Sequence, residues 1–460
     1  MLADMTRLRY WPYMLCVEFL AIVIGMGIVL NLQYTAALLL TIVVLTSFFI
    51  VPQIIIPLIL VIRSSLDIFT KVGFNIGPML LNIPSITSIV ILCFGGVYIF
   101  FKASIKKDMI SDKIGKVFFF WVMSLLFWVF IACSNFYIDG LIGLREWIRL
   151  ASLLMIYVLS YQLTQSMDYR KIIRYIFFAL PVPLFVGFYQ IITSTGIKVD
   201  GINRVYGTLA HPNSFSLFLV LFIGITFWRV MASARKPLWV ALLILEIVVL
   251  VNTFSVGGVL MFLVMCTILV FKMAKRQYRA MIYVLVFFVL IGFALNSAGR
   301  LRISEMSRAG NILETMKTGK LSGEGSFAWR ILNWYMFIEE SKKNALLGYG
   351  LGTTVEMVSP MGNIPHNDYL RFLVETGLVG LCMFFWFLIS LGRGIWRVCC
   401  TATNGDLEFL YFAIIMFSVY IAWMVGSFAD NFITATGFQY YFWALTGVLM
   451  AQYHKMTHLI

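Results

Sequence analysis

The sequence contains few charged residues and very few histidines. Only 12% of its 460 residues are charged, 61% are hydrophobic, and four are histidines. A soluble domain of this length needs a large polar exterior to cover its apolar core, and this composition cannot supply one. The composition therefore excludes a water-soluble globule and predicts a chain that lies in a lipid bilayer.

Nucleotide-binding and metal-binding patterns are also missing. The glycine-rich stretch at 348–352 follows no predicted strand and does not end in Gly-Lys-Ser or Gly-Lys-Thr, so it is neither a dinucleotide fingerprint nor a P-loop. The seven cysteines lie within or beside apolar blocks and lack the spacing of a zinc site. We therefore predict no cofactor, no metal and no disulfide framework.

The apolar residues form blocks that match the thickness of a bilayer. A helix of about 20 residues crosses the hydrocarbon core, and a helix satisfies its backbone hydrogen bonds without water. We therefore expect an all-α, polytopic integral membrane fold with about 12–14 transmembrane helices. The predicted blocks are 13–31, 35–62, 85–102, 116–134, 147–165, 174–194, 213–229, 237–252, 256–272, 280–296, 374–392, 408–427 and 433–452.

The number of helices depends on the first two blocks. The first is interpreted as a retained helix, because no small-residue cleavage site follows it. Residues 35–62 are long for one crossing and contain Pro52 and Pro57, so they form either one kinked helix or two short crossings. Arg7 and Arg9 place the N-terminus in the cytoplasm. The later basic loops then also fall in the cytoplasm only if residues 35–62 cross the membrane twice, so two crossings are favoured.

Clusters of basic residues set the orientation of the helices. Lysines and arginines occur together on every second loop, and such loops stay in the cytoplasm. These clusters account for most of the net charge of +14, so no nucleic-acid partner is needed to explain it. The opposite loops are then extracytoplasmic, at 135–146, 195–212 and 297–373. The predicted organisation is an N-terminal helix bundle at 1–296, a large extracytoplasmic loop at 297–373 and C-terminal helices at 374–460.

The loop at 297–373 is too long to be a simple connection, and loops of such length are usually functional or disordered. Residues 327–338 form an apolar-rich run that includes Trp329 and Trp334. Tryptophans prefer the headgroup region, so this run predicts a helix that lies along the membrane interface.

Two histidines fall on the extracytoplasmic side, His211 and His366. His366 stands just before a membrane helix and is followed by the hydrogen-bonding residues Asn367, Asp368 and Tyr369. Histidine is the side chain best suited to move a proton near neutral pH, and a carboxylate such as Asp368 would raise its basicity. The alternative is a purely structural role at the start of the helix.

Two arginines on the same side could bind an anion. Arg204 precedes a helix that begins near Asn213, and the positive end of that helix would add to its charge. Arg330 lies among aromatic residues and could hold a pyrophosphate through bidentate hydrogen bonds. Either arginine could instead extend to lipid phosphate at the interface. Gly350 and its neighbouring glycines would let the backbone approach a ligand closely, or would form a flexible turn.

Two acids, Glu18 and Glu246, fall within predicted membrane helices, where ionisable residues are often functional. Neither has a basic neighbour in the sequence, and no chain of acids and histidines suggests a proton relay. This pattern disfavours a proton-coupled transporter. A transporter or flippase stays the alternative class, because polytopic proteins with re-entrant loops commonly transport.

The motifs on the extracytoplasmic side resemble those of the bacterial O-antigen ligase and polysaccharide polymerase family. The resemblance covers residues 200–395, and nearer the N-terminus it is limited to hydropathy. The motifs are Arg204…Gly207…His211-Pro-Asn213, Trp329-Arg330…Trp334, Gly348-Tyr-Gly350-Leu-Gly352 and Pro365-His366-Asn367-Asp368-Tyr369-Leu370…Glu375-Thr-Gly377-Leu-Val-Gly380.

One position departs from the family pattern. After the eighth block the family often shows Thr-x-Ser-Arg, whereas this chain has Thr253-Phe-Ser255-Val256. A cationic contact is therefore absent or supplied from elsewhere in the chain.

The resemblance implies a metal-independent glycosyltransferase of the membrane-embedded type C architecture. Its donor would be a glycan on undecaprenyl pyrophosphate, with His366 as the general base and Arg204 and Arg330 binding the pyrophosphate. The supporting residues would be His211, Asn213, Gly350, Asn367, Asp368 and Tyr369.

We therefore expect a polymerase that joins repeat units of an O-antigen, capsule or exopolysaccharide by transferring glycan to a sugar hydroxyl of another lipid-linked unit. A ligase that transfers glycan to lipid A core or to protein is the alternative. The expected location is the bacterial inner membrane, with the site facing the periplasm or exterior. The expected partners are the lipid-linked donor, the acceptor glycan and the bilayer, and a chain-length regulator is a further candidate.

Overall fold

The computed structural model has the all-α, polytopic membrane fold that the composition predicts. It describes residues 52–70, 73–76, 79–105, 112–134, 140–199, 202–272, 275–307, 326–355, 364–401 and 406–457, together with positions 50, 318 and 357. The predicted block 13–31 with Glu18, and residues 35–49 of the second block, lie outside the described residues. Within the described part, eight segments are long and apolar enough to cross a membrane.

The described helices account for every predicted block from position 85 onward. In chain order they are α1 (Pro52–Leu66), α2 (Ile83–Ile105), α3 (Lys113–Ser134), α4 (Gly140–Ser166), α5 (Tyr169–Phe177), α6 (Pro181–Thr193), α7 (Pro212–Ala232), α8 (Lys236–Asn252), α9 (Val256–Lys272), α10 (Arg276–Leu295), α11 (Ser297–Ser307), α12 (Ser326–Lys343), α13 (Asp368–Thr401), α14 (Leu407–Gly426) and α15 (Thr436–Thr457).

The block predicted at 174–194 is two helices, α5 and α6, rather than one. Pro181 is the first residue of α6 and has no N–H group, so the hydrogen-bond ladder of α5 cannot continue through it. The segment also begins earlier than predicted, since the Asp168 side chain accepts a hydrogen bond from the N–H of Arg170 and caps α5.

Two short hairpins were not predicted. Strand β1 (Gly73–Ile76) pairs antiparallel with β2 (Met79–Asn82), and β3 (Ile197–Val199) pairs antiparallel with β4 (Ile202–Arg204). The second hairpin lies in the loop predicted at 195–212 and ends at Arg204, so it fixes the position of that arginine.

The core runs through helices from both ends of the chain. The rings of Trp121 in α3 and Phe387 in α13 stack with centroids 4.4 Å apart, and Phe118 in α3 lies 4.2 Å from Trp443 in α15. Helices α7 and α15 are buried along nearly all of their length. Outer helices such as α3 and α10 expose large apolar side chains on one side, as a surface in contact with lipid does.

The large loop contains a helix where the sequence predicts one, and the loop ends earlier than predicted. Helix α12 covers the predicted run at 327–338. Helix α13 begins at Asp368, six residues before the predicted start at 374. Asn367 explains the early start, because its Oδ1 atom accepts a hydrogen bond from the N–H of Leu370 at 3.0 Å. The helix is broken at Gly377, where φ is 63°.

Candidate active site

His366 contacts a carboxylate from a distant part of the chain. Its Nδ1 atom lies 2.8 Å from Oδ1 of Asp430, which stands in the connection between α14 and α15. The side chain of His366 is 31% exposed and that of Asp430 is 17% exposed, so the pair lies at the edge of the protein interior. An ionised carboxylate only accepts hydrogen bonds, so Nδ1 carries the proton and Nε2 of a neutral ring has its lone pair available.

The carboxylate beside His366 is Asp430 and not Asp368, the neighbour that the sequence favours for this role. The Oδ2 atom of Asp368 instead accepts a hydrogen bond from the N–H of Ile433 at 3.0 Å. Neighbouring residues at the start of a helix point in different directions, and this is why Asp368 faces the connection before α15. In the sequence, Asp430 is marked only by being an isolated acid between two predicted apolar blocks.

Asp430 is held ionised by its surroundings. Burial raises the pKa of its carboxyl, but the hydrogen bond from His366, the charge of Arg330 and a hydrogen bond from Asn213 together lower the pKa well below its usual range. The Nδ2 atom of Asn213 donates to Oδ2 of Asp430 at 2.7 Å, and the N–H of Asn431 donates to Oδ1 at 2.9 Å.

Asn213 links this pair to Arg204. The Oδ1 atom of Asn213 accepts a hydrogen bond from Nη2 of Arg204 at 2.8 Å and another from the hydroxyl of Ser255 at 3.1 Å. Arg204 is buried, and its Nε atom donates to the carbonyl of Thr253 at 2.9 Å. Arg204 therefore positions Asn213, which in turn positions Asp430.

The segment that carries His366 is clamped by α12. The amide of Asn333 donates to the carbonyl of Ile364 at 2.7 Å, and the indole of Trp334 donates to the carbonyl of Pro365 at 2.8 Å. The ring of Trp329 meets the imidazole of His366 edge to face, with centroids 5.5 Å apart. Helix α12 thus fixes the backbone on one side of the imidazole and packs an aromatic ring against it.

The backbone of His366 is strained. Its φ angle is 50°, in the left-handed region that residues other than glycine rarely adopt. Such strain persists only where surrounding contacts determine the conformation, and it is common at functional sites. The next residue supplies one of those contacts, because the N–H of Asn367 donates to Oδ1 of Asn431 at 3.0 Å.

His211 and Arg330 belong to the same cluster. His211 precedes α7, and its Nδ1 atom accepts a hydrogen bond from the N–H of Asn213 at 3.2 Å. Burial, together with the positive charges of Arg204 and Arg330, lowers the pKa of His211 to about 4, although the carboxylate of Asp430 opposes this shift. His211 is therefore neutral near pH 7, with its proton on Nε2.

Tyr369 and Gly350 have structural contacts away from the imidazole. The hydroxyl of Tyr369 donates to the carbonyl of Met424 at 2.8 Å and so joins α13 to α14. Gly350 has a φ of 107°, and its N–H donates to the carbonyl of Glu375 at 2.8 Å. A Cβ atom on Gly350 would lie 2.5 Å from the backbone of Ala132. The glycine turn is therefore a close approach between backbones rather than a flexible turn.

The predicted site residues thus form two groups. His211, Asn213, Arg204, Arg330 and His366 surround Asp430, whereas the remaining candidates hold the surrounding helices and turns. Within the described residues, no group of three or more histidines, cysteines or acids could hold a metal ion.

Comparison with known protein families gives a match to part of the chain. Residues 238–385, about a third of the chain, match the family model described as O-antigen ligase. The matched region includes α12, His366 and the glycine turn, whereas Arg204, His211, Asn213 and Asp430 lie outside it. No curated protein matches the chain significantly. This third of the chain is therefore similar to the O-antigen ligase family.

Proposed function

We propose that the protein is a polysaccharide polymerase that transfers a glycan from undecaprenyl pyrophosphate to a sugar hydroxyl of another lipid-linked repeat unit. The observation that carries this proposal is the contact between His366 and Asp430, surrounded by positively charged groups. A general base and a cationic environment are the two requirements for displacing a pyrophosphate by a hydroxyl.

His366 acts as the base in this proposal. The acceptor hydroxyl oxygen forms a bond to the anomeric carbon, and its proton moves to Nε2 of His366. Asp430 holds the ring through Nδ1 and stabilises the imidazolium that results, as a carboxylate does in the Ser-His-Asp arrangement. General-base catalysis of this kind contributes about 10²–10⁴-fold to a rate.

The pyrophosphate is the leaving group. The bond between the anomeric carbon and the phosphate oxygen breaks, and its electron pair stays on the undecaprenyl pyrophosphate. Arg330 lies close enough to lower the pKa of both His211 and Asp430, so its charge acts on the space beside the imidazole. Arg204 contributes its charge from a buried position, and neutral His211 can donate from Nε2 to a phosphate oxygen.

A ligase would use the same donor and the same base, and only the acceptor separates the two activities. In the proposed setting the protein spans the bacterial inner membrane, and the site faces the periplasm or exterior. The acceptor glycan and a chain-length regulator are the partners proposed with it.

The test is a deletion strain complemented with His366→Ala. We expect loss of glycan transfer with normal insertion of the variant, whereas His454→Ala removes an imidazole from the far end of α15 and should retain transfer. Normal chain lengths with His366→Ala would contradict the proposal. The deletion itself separates the two acceptors, because a single repeat unit on the acceptor indicates a polymerase and a bare acceptor with accumulated lipid-linked polymer indicates a ligase.

A further inference from the structure

A groove lies between four helices at the end of the bundle that the basic loops place in the cytoplasm. Its volume is about 610 Å³, and its walls come from α5, the start of α6, the end of α7 and the first half of α8. Ligand cavities in proteins have volumes of about 300–1,000 Å³, so the groove can hold part of a lipid molecule. It is remote from the His366 site, because Asn213 of that site lies at the opposite end of α7.

Three arginines line one end of this groove. Arg170 and Arg174 lie in α5, and Arg229 lies in the last turn of α7. All three belong to the basic clusters that predict the cytoplasmic side. The other lining residues are apolar or aromatic, among them Phe177 and Leu242. A charged end followed by an apolar surface matches an amphipathic ligand.

Arg170 is already paired with acids of the protein. Its Nη2 atom lies 2.8 Å from Oδ2 of Asp406, and its Nε atom lies 2.9 Å from Oε2 of Glu408. Asp406 also accepts hydrogen bonds from the first N–H groups of α14. Arg170 therefore holds α5 against the start of α14, and its charge is balanced by these carboxylates.

Arg174 and Arg229 are the guanidiniums that a ligand can use. Among the described residues, neither forms a salt bridge, whereas Asp406 and Glu408 are both paired with Arg170. Three arginines and two carboxylates leave one positive charge at this end of the groove. Arg229 is close enough to Arg174 for their like charges to act on each other. An anion between the two guanidiniums would relieve this repulsion.

Arg229 is held in place by two tryptophans. Its guanidinium carbon lies 5.4 Å from the ring centroid of Trp228 and 5.1 Å from that of Trp239, within the range of cation–π contacts. The indole of Trp228 donates to the carbonyl of Glu408 at 3.0 Å, and Phe177 packs edge to face against Trp239. The guanidinium is therefore ordered before a ligand binds, which reduces the entropy lost on binding.

The apolar part of the groove opens towards the lipid. Phe178 and Leu238 at its edge are 58% and 62% exposed. A water-soluble phosphate compound would make no use of this surface, whereas an acyl chain packs against it through many dispersion contacts. Trp228 and Trp239 stand at the charged end, as tryptophans at the level of the lipid headgroups do.

We propose that this groove binds an anionic phospholipid of the cytoplasmic leaflet. Its phosphate lies between Arg174 and Arg229, and an acyl chain runs along Phe177 and Leu242. Basic pockets between membrane helices on the cytoplasmic side hold anionic headgroups in other proteins. The bound lipid joins α5 and α6 to α7 and α8, and so it stabilises the packing of these four helices.

The test measures lipid binding to the full-length protein in detergent by native mass spectrometry. The probes are phosphatidylglycerol, phosphatidylethanolamine and phosphatidylcholine with the same acyl chains, so only the headgroup differs. Glycerophosphoglycerol, the headgroup of phosphatidylglycerol without its chains, is the competitor. We expect phosphatidylglycerol to bind at least about tenfold more tightly than the two zwitterionic lipids, because charge-assisted hydrogen bonds form to a net anion. The headgroup without chains should not displace it.

A double variant, Arg174→Gln with Arg229→Gln, removes the charged end of the groove. We expect it to bind phosphatidylglycerol at least about tenfold less tightly, because the charge-assisted hydrogen bonds to the phosphate are lost. The matched control is Arg276→Gln with Arg279→Gln. These two arginines are exposed at the start of α10, on the same predicted side of the membrane and outside the groove. The control should bind the lipid as the wild type does.

A further variant, Ala241→Phe, tests the apolar part without changing a charge. Ala241 lines the groove and is exposed, so a ring at this position occupies the path of the acyl chain without disturbing the helix packing. We expect weaker binding of phosphatidylglycerol and an unchanged Tm in the absence of added lipid.

Four results would overturn the inference. They are wild-type binding of phosphatidylglycerol by the double variant, wild-type binding by Ala241→Phe, equal binding of phosphatidylcholine, and displacement by glycerophosphoglycerol. The assay contains neither donor nor acceptor glycan, so its outcome is independent of the proposed transfer reaction.

Discussion

Oδ1 of Asp430 lies 2.8 Å from Nδ1 of His366, although the two residues are 64 positions apart in the chain. The contact joins the end of the large loop to the connection between α14 and α15. Asn213, at the start of α7, reaches the same carboxylate from the other side. Three helix connections therefore meet at one carboxylate.

Replacing Asp430 by asparagine should lower glycan transfer. The amide oxygen can still accept a hydrogen bond from Nδ1, but it cannot stabilise the imidazolium, so we expect a loss of about 10²–10⁴-fold in rate. The measurement is transfer of a defined lipid-linked repeat unit by purified protein. Asp168→Asn makes the same change at the cap of α5 and should keep full activity, because asparagine also caps helices well. Equal rates for Asp430→Asn and wild type would refute the role of this carboxylate.

His211 should make the folded state more sensitive to acid. Its pKa is lowered from 6.5 to about 4 in the folded protein, so between these values the unfolded state binds more protons than the folded state. The free energy of unfolding contributed by His211 is therefore complete above pH 6.5 and is lost as the pH falls towards 4. His211→Gln should have a flatter dependence of Tm on pH than the wild type between these values. Parallel curves for the two proteins would contradict the assignment.

The glycine turn should tolerate no side chain at position 350. Gly350→Ala places a Cβ atom 2.5 Å from the Ala132 backbone at a φ of 107°, and the backbone strain alone costs about 1–3 kcal/mol. We expect a clear fall in Tm in detergent. Gly257→Ala is the matched control, because its Cβ would lie 3.9 Å from Phe432 and alanine favours the helix α9. A Tm for Gly350→Ala at or above that of the control would show that the turn adopts another conformation.

The orientation of the bundle can be measured by cysteine labelling. In a variant without native cysteines, Leu347→Cys should react with a membrane-impermeant maleimide in intact spheroplasts, because the glycine turn is predicted to be extracytoplasmic. Arg235→Cys should react only after the membrane is permeabilised, since the basic loops are predicted to be cytoplasmic. Labelling in the reverse pattern would place His366 in the cytoplasm and exclude an outer-leaflet donor.

Much of the candidate site could be predicted from the sequence. His366, Arg204 and Asn213 stand in motifs beside helix starts, and the apolar, aromatic-rich run at 327–338 predicts helix α12. Asp430 could not be predicted, because no motif surrounds it and its partner is remote in sequence.

The sequence alone determined the membrane fold, because apolar blocks of bilayer length can satisfy their backbone hydrogen bonds only as helices. It also determined the alternation of basic loops, and it places His366 just before a membrane helix as the candidate base. Tertiary structure alone decided that Asp430, rather than Asp368, contacts His366, and that Gly350 is part of a rigid contact with Ala132. Hydrophobic periodicity is a local property of the chain, whereas a hydrogen bond between two helix connections depends on how all the helices between them pack.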